Sequence, residues 1–571
     1  MMMRAIVFLG GCMLLLSQFQ VTDGLYGGID TSNYFALLLG AMVAIVCLVK
    51  VPKVLYRGDA MVFVLFVYLL IHASLIHAMQ SREFYLSLSY FALYAVFRVI
   101  RAMLLANYVS FAVMFGGIYQ SCLVLGQLLG YGISNHLRFV VTGSFFNPGP
   151  CGIFLAGVFV LAVAMMKKGY RKVGFNLMFV RYVTACVTFG VTLVAMIPTM
   201  SRAGWIGALV GVMLLYRGEI VSWGNTRRRW VIGGGIVGMI IVLTLFYLLK
   251  KDSANGRLFI WQNTVSAYWK TPLFGVGIDG FERAFAEAQH DYFEKEKVLE
   301  QDNRHVEMAG VVESAFNEPL ALFLLLGAVG GVLAAMVLFF KLQRLTAYSC
   351  VAVALLVASF FSYTFYIPSI AIVFLFAVAQ LPDRRVRGGR YVNVLMFGMI
   401  GVVVLYFNFR EYGNRWAYRE WKKRAVYYTQ EDYESVIDDY ERLYPILKYN
   451  FKFLFEYGHS LNKAGRYEES NTILEEGTAH SADPMFWNIM GNNYLALGQY
   501  GRSETAYLRG YYTCPNRIYP LYLLVKLGAA QGDSVKRNYY GRIMLGKRPK
   551  VASMAVDEMK FEIRKMLTIN D

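Results

Sequence analysis

Long apolar runs follow one another from the N-terminus to about residue 408, each near the length a helix needs to cross a hydrocarbon core. They fall at 4–20, 32–50, 60–78, 85–100, 103–130, 150–166, 180–198, 203–216, 230–249, 318–340, 345–362, 365–381 and 391–408. Beyond 408 charged residues, Tyr and Asn become frequent and no long apolar run remains. The pattern predicts an all-α chain, with a polytopic transmembrane helical bundle over 1–408 and a soluble C-terminal α-solenoid over 409–571. The two runs around "YTFYIPS" read either as two spans or as one broken helix.

Two polar regions interrupt or follow the spans. The first is a large loop, 250–317. Within it "GRLFIWQNTVSAYWK" sets apolar Leu258, Trp261, Val265 and Trp269 at helical spacing, and Pro272 follows as a stop. "GVGIDGF" is a Gly-rich turn that follows no recognisable strand, so it is not a dinucleotide fingerprint. "ERAFAEAQHDYFEKEK" then reads as an amphipathic helix.

The second region is the tail. "EYGHSLNKAGRYEESNTILEEG" and "IMGNNYLALGQYGRSETAYLRG" superpose at an offset of 33, with Gly458 on Gly491, Gly465 on Gly498 and Tyr467 on Tyr500. Gly532 continues the series, 34 residues after Gly498. This period resembles tetratricopeptide helical hairpins, which stack into a concave solenoid suited to a peptide or protein partner. A helical spacer without a partner is the plainer alternative.

The net charge of +18 would suggest nucleic acid in a soluble protein, but its distribution argues against that partner. Basic residues cluster at alternate span ends: Lys50, Lys53 and Arg57; Arg98 and Arg101; Lys167, Lys168, Arg171 and Lys172; Arg227 to Arg229; Lys341 and Arg344; Arg384, Arg385, Arg387 and Arg390. With Arg4 inside, alternation through thirteen spans puts every cluster on the cytoplasmic side. The loop and the tail then face outward, and one span more or fewer after 318 would move the tail inside. The seven cysteines are scattered without metal-ligand spacing.

Charged side chains beside a membrane interior are costly and therefore informative. On the outward face they concentrate in "PTMSRAGWIGALVGV", which sets Arg202 at the start of a span; in "NGRLFIW", which carries Arg257; and in "ESAFNEPLALFLLLGAVGG", with Glu313, Asn317 and Glu318. Pro319 is tolerated in a first helical turn, so that span begins at Asn317 or Glu318 with Asn317 a good cap. Such a helix start offers free N–H groups and a positive dipole end.

In three stretches the chain resembles the O-antigen ligase and O-antigen polymerase superfamily of membrane glycosyltransferases. They are the Ser-Arg-x-x-Trp run at 201–205, the run from Arg257 and Trp261 to Pro272, Leu273, Gly275 and Gly277, and the run from Asn317 through Leu320 to Gly327 and Gly330. "GSFFNPGPCGIFLA", with Asn147, looks like the Asn-Pro element of the same family. The resemblance covers roughly residues 140–380.

The resemblance implies transfer of a glycan from an undecaprenyl-diphosphate carrier to an acceptor hydroxyl at the periplasmic face of the inner membrane. The acceptor is a lipid A-core sugar, the end of a growing glycan or a protein hydroxyl. It implies no metal, no cofactor and no nucleotide sugar. Arg202 and Arg257 would grip the diphosphate, and Asn317 and Glu318 would orient or deprotonate the acceptor. Asn147, Trp205, Trp261, Glu313 and His305 are further substrate-binding candidates. Many members carry a His before this Asn; here the position is Phe316, which cannot take a proton. Glu318, or Glu313, His305 or His290, would have to serve, or no strong base is used.

The arginines have a plainer reading as interface anchors that snorkel to headgroups, and Glu318 as a complement to its helix dipole. Readings from other classes are a transporter of lipid-linked glycans and a non-catalytic assembly scaffold whose working part is the tail. A transporter predicts ionisable residues deep inside spans.

Overall fold

A computed structural model describes residues 2–19, 54–167, 177–249, 251–301, 303–386, 390–548 and 553–568. The expected span at 32–50 and the basic residues Lys50, Lys53, Lys168, Arg171, Lys172 and Arg387 lie outside them. The described residues form helices and turns; their lone bridge pairs Tyr56 with Arg385, and no strand occurs among them. Among the described residues seven helices are long and apolar enough to cross a membrane. They are Arg57–Leu75, Arg82–Ala102, Ala106–Leu128, Pro148–Lys167, Phe179–Thr199, Glu318–Lys341 and Tyr391–Thr429. Shorter apolar helices, Met2–Ser17, Arg202–Leu215, Ala347–Ser359 and Pro368–Ala379, accompany them. The "YTFYIPS" region is two helices joined by a bridge, residues 360–367.

The chain divides into two units, Met1–Asn255 with Ala315–Glu411, and Gly256–Ser314 with Tyr412–Asp571. The first contains the apolar helices. Glycines let three of them touch backbone to backbone, as small residues do where lipid supplies no hydrophobic drive. A Cβ on Gly204 would lie 2.6 Å from the carbonyl oxygen of Gly152, and one on Gly207 only 2.4 Å from that of Ala354. Gly211 abuts Val160, Ala354 and Cys350 in the same way. Contacts that run from Gly207 with Ala354 and Ala358 to Gly211 with Cys350 make Arg202–Leu215 and Ala347–Ser359 antiparallel. Arg202 and Ser359 therefore share one end of the unit.

The Glu318–Lys341 helix breaks at Gly327, where φ is +66° and ψ −174°. The Tyr68 hydroxyl donates to the freed carbonyl of Leu326 at 2.7 Å, which removes the cost of leaving that oxygen unpaired in an apolar setting.

The second unit joins the large loop to the tail. Phe259 shares a core with Phe293, Tyr507, Tyr511, Leu521 and Leu524. Gln289 Nε2 donates to the carbonyl of Thr513 at 2.5 Å, and Asn516 Nδ2 to that of Ala309 at 2.6 Å. Residues 256–314, which the hydropathy pattern grouped with the membrane domain, thus pack on the C-terminal helices. Between the two segments of this unit the described residues hold two helices long enough to cross a membrane, Glu318–Lys341 and Tyr391–Thr429, and the shorter apolar helices Ala347–Ser359 and Pro368–Ala379.

The tail is a series of antiparallel helical hairpins: Phe451–Lys463 with Tyr467–Thr478, Met485–Ala496 with Tyr500–Thr513, and Tyr519–Ala530 with Ser534–Gly546. Gly465, Gly498 and Gly532 take φ of +77°, +71° and +70° at the three turns. The 33-residue offset is visible in a repeated bond: Ser470 Oγ donates to the Gly458 carbonyl at 2.6 Å, and Ser503 Oγ to that of Gly491 at 2.8 Å.

In Lys251–Lys270 the packed face is Phe259, Asn263, Thr264 and Ala267, whereas Leu258, Val265 and Trp269 stay exposed and Trp261 is half-buried. Burial of the two polar residues costs little because each bonds its own helix: Asn263 Nδ2 donates to the Phe259 carbonyl at 3.0 Å and Thr264 Oγ1 to that of Ile260 at 2.7 Å.

Candidate functional site

The N-terminus of Arg202–Leu215 is capped by Ser201, whose Oγ accepts from the Gly204 amide at 3.3 Å. The same hydroxyl donates to the Gly149 carbonyl at 2.9 Å. This ties the start of that helix to the start of Pro148–Lys167. Asn147 sits immediately before the second helix, and its Oδ1 accepts from the Gly149 amide at 2.9 Å. The approach to Asn147 is anchored by glutamine amides from Ala106–Leu128. Gln127 Oε1 accepts from the Thr142 and Gly143 amides, each at 2.8 Å, while Gln120 Nε2 donates to Ser144 Oγ at 2.6 Å. Asn147, Arg202 and Trp205 thereby belong to one corner, all half-buried.

Asn317 caps Glu318–Lys341 as its sequence position predicts, Oδ1 accepting from the Leu320 amide at 3.1 Å. Glu318 then reaches across to the 360–367 bridge. Its Oε1 accepts from the amides of Phe365 at 2.9 Å and Tyr366 at 3.3 Å. Phe316 packs its ring on Tyr363 of the same bridge, centroids 5.3 Å apart. Phe316 and Met200 both have positive φ, +52° and +46°, one residue before the caps Asn317 and Ser201. The two helix starts are built alike.

The bridge connects the two corners. It begins at Ser359, at the end of the unit that holds Arg202, and it is pinned at 365–366 by Glu318. Two residues that the motifs did not indicate join it. Arg82 donates to the Tyr366 hydroxyl at 3.2 Å, with its guanidinium over that ring, and the Tyr90 hydroxyl donates to the Phe365 carbonyl at 3.0 Å. Arg82 opens the Arg82–Ala102 helix. A cation at a span start was the available signal, the same one that singled out Arg202. One end of the first unit therefore collects Arg82, Asn147, Arg202, Asn317 and Glu318 around converging helix starts. Such starts present free N–H groups and a positive dipole end, suited to an anion or a sugar oxygen.

The opposite end is different. Asp59 accepts from Arg98 at 2.7 Å and from Lys341 at 2.7 Å, the Tyr94 hydroxyl donates to it at 2.5 Å, and Lys341 also meets Asp383 at 3.2 Å. All these charges are buried. Arg98 and Lys341, two of the basic residues at span ends, are locked in this network. Their long stems fold back into the unit because carboxylates there compensate them. Lys167 and Glu219, paired at 2.7 Å, cluster at the Leu215 end of the bundle, away from Arg202.

The remaining candidates belong to the second unit. Arg257 and Trp261 are half-buried on Lys251–Lys270, and Glu313 is exposed. His305 stacks on Phe259, centroids 5.0 Å apart, and its Nδ1 lies 2.5 Å from the Tyr292 hydroxyl. Burial, with Arg304 nearby, pushes its pKa below the usual imidazole value. It packs under the helix that carries Arg257.

Residues 185–335 match the family model described as O-antigen ligase. A comparison with curated proteins finds no match. The matched segment contains Arg202, Arg257, Asn317 and Glu318. Together with the apolar helices, this local similarity supports a multi-pass membrane protein with a role in glycosyl transfer during glycan biosynthesis.

Proposed function

We propose that this chain transfers a glycan from an undecaprenyl-diphosphate carrier to an acceptor hydroxyl, working at the periplasmic face of the inner membrane. The observation that carries the reading is the gathering of Arg202, Asn317 and Glu318 at one end of the bundle, away from the buried ion network. The cationic end clusters fit the cytoplasmic side, which leaves the other end for the periplasm.

Arg202 holds the diphosphate, and Arg257, a candidate by its motif, is the loop's own cation for a phosphate. As the bond from the anomeric carbon to phosphate oxygen breaks, negative charge grows on that oxygen, and guanidinium groups stabilise it in a fork that water does not match. The acceptor oxygen forms the new bond to the anomeric carbon, and its proton passes to Glu318. Oε1 of that carboxylate is taken by two amides; among the described residues no hydrogen bond reaches Oε2, the oxygen available to a hydroxyl. Asn147 and Trp205 shape the sugar-binding surroundings in the membrane unit, while Trp261 and Glu313 are the loop's own candidates for sugar contact. The tail, with its tetratricopeptide-like period, braces the loop.

Purified protein supplied with lipid-diphosphate glycan and acceptor should give covalent product without ATP. Arg202→Ala and Arg257→Ala should each lower turnover by about 100-fold or more, the scale of removing one charge-stabilising donor. Transfer that survives both changes overturns the reading. The buried charges Asp59, Arg98, Lys341 and Asp383 lie at span ends rather than deep inside spans, so they do not favour a transporter of the same lipid-linked glycan. Translocation across vesicles without product would establish that reading instead.

A further inference from the structure

The Lys251–Lys270 helix buries the wrong side for a helix in water. Its packed face includes Phe259 and Asn263, 2% and 1% exposed, while Leu258, Val265 and Trp269 are 57%, 40% and 69% exposed. The turn that follows adds Leu273 and Phe274, at 62% and 59%. Leu258, Val265 and Trp269 recur at intervals of seven and four, so they form one stripe. A helix that turns Asn and Thr toward protein and its large apolar groups outward is arranged for an apolar medium.

The chain itself says which medium. Lys251–Lys270 starts two residues after the apolar helix Asn225–Leu249, and its first turn belongs to the membrane unit while the rest belongs to the loop-and-tail unit. The apolar run 230–249 predicts a span, so this helix starts beside it. Lys251 bounds its start and Trp269 lies near its end, the side chains that settle at a headgroup boundary, while Lys270 pairs with Asp291 at 2.5 Å. We propose that the Leu258, Val265, Trp269, Leu273 and Phe274 face rests on the phospholipid surface, laying the loop helix along the membrane. Its opposite face holds the tail through Phe259.

One consequence rests on the function proposed above. Arg257, next to Leu258, is then held at the depth of lipid phosphates, where a polyprenyl diphosphate presents its head. The lipid contact does not depend on that consequence.

The test uses the full chain in vesicles of phosphatidylglycerol and phosphatidylethanolamine, with and without brominated acyl chains. Tryptophan emission of the wild type is compared with that of Trp269→Phe. A bromine-quenched component present in the wild type and lost in the variant is the expected result. Val265→Trp in the W269F background should restore it, which separates position from a folding defect. Trp269 emission quenched by aqueous iodide and not by bromolipid overturns the proposal, and shielding from both quenchers by a protein partner does so equally. Bromine quenching together with full transfer by Arg257→Ala would leave the lipid contact standing and remove the donor reading. Loss of transfer by Arg257→Ala without bromine quenching would do the reverse.

Discussion

Glu318 accepts the amide hydrogen of Phe365 at 2.9 Å, so the first carboxylate of one apolar helix fixes the bridge between two others. That bond separates two roles for Glu318 that its position in sequence left together. A glutamine retains an oxygen for the Phe365 amide but accepts no proton. Glu318→Gln should keep the thermal stability within about 1 kcal/mol of wild type, since one acceptor replaces another. Its turnover should fall by about 100-fold, the usual scale of general base loss. Glu318→Ala should lose both. Equal turnover in the glutamine variant and the wild type would show that the carboxylate only positions the bridge.

Asp59 compensates two buried cations, Arg98 and Lys341, each at 2.7 Å. Removing one member of such a network strands the others without water. Asp59→Asn should cost about 3–5 kcal/mol, read as a large drop in unfolding temperature in detergent. Replacing Asp59 and Lys341 together by Asn and Met should recover part of it. A single variant as stable as the wild type would mean that the network is hydrated and contributes little.

Gly491 and Gly501 test the hairpin packing in opposite directions. A Cβ on Gly491 would stand 2.3 Å from a ring carbon of Tyr507, whereas one on Gly501 meets nothing within 4 Å. Gly491→Ala should destabilise the tail by about 1–3 kcal/mol through overpacking. Gly501→Ala, on an exposed helix position, should stabilise it by about 1 kcal/mol. Urea titration of the full chain decides, and matching shifts for both would reject the packing.

The second unit should weaken in mild acid. Burial is the leading cause that holds His305, His459 and His480 below the ordinary imidazole value. Each binds fewer protons folded than unfolded as pH falls through the unfolded value, near 6.5. The stability they contribute is complete above that value and is lost below it, until the lowered folded pKa is passed. Glu456, raised by burial, works in the opposite sense at its own folded pKa. Three imidazoles against one carboxyl predict a lower urea midpoint at pH 5.5 than at pH 7.5. His459→Gln should flatten the difference. A midpoint unchanged by that substitution would place the sensitivity elsewhere.

Much of the architecture was legible along the chain. Apolar run length, Asn317 as a cap, and the 33-residue tail period are local properties, set by the few residues around each position, and they carry through to the folded protein. What only the tertiary structure decided involves residues far apart in sequence. Glu318 meets Phe365 across 47 positions, Lys341 meets Asp59 across 282, and Gln289 meets Thr513 across 224. Hydropathy could not tell which face of Lys251–Lys270 packs, because Asn263 and Thr264 become inexpensive to bury once they bond their own helix. Nor could it show that Arg98 and Lys341 fold inward, since a buried charge is tolerated only where an opposite one waits, and that partner is supplied by packing.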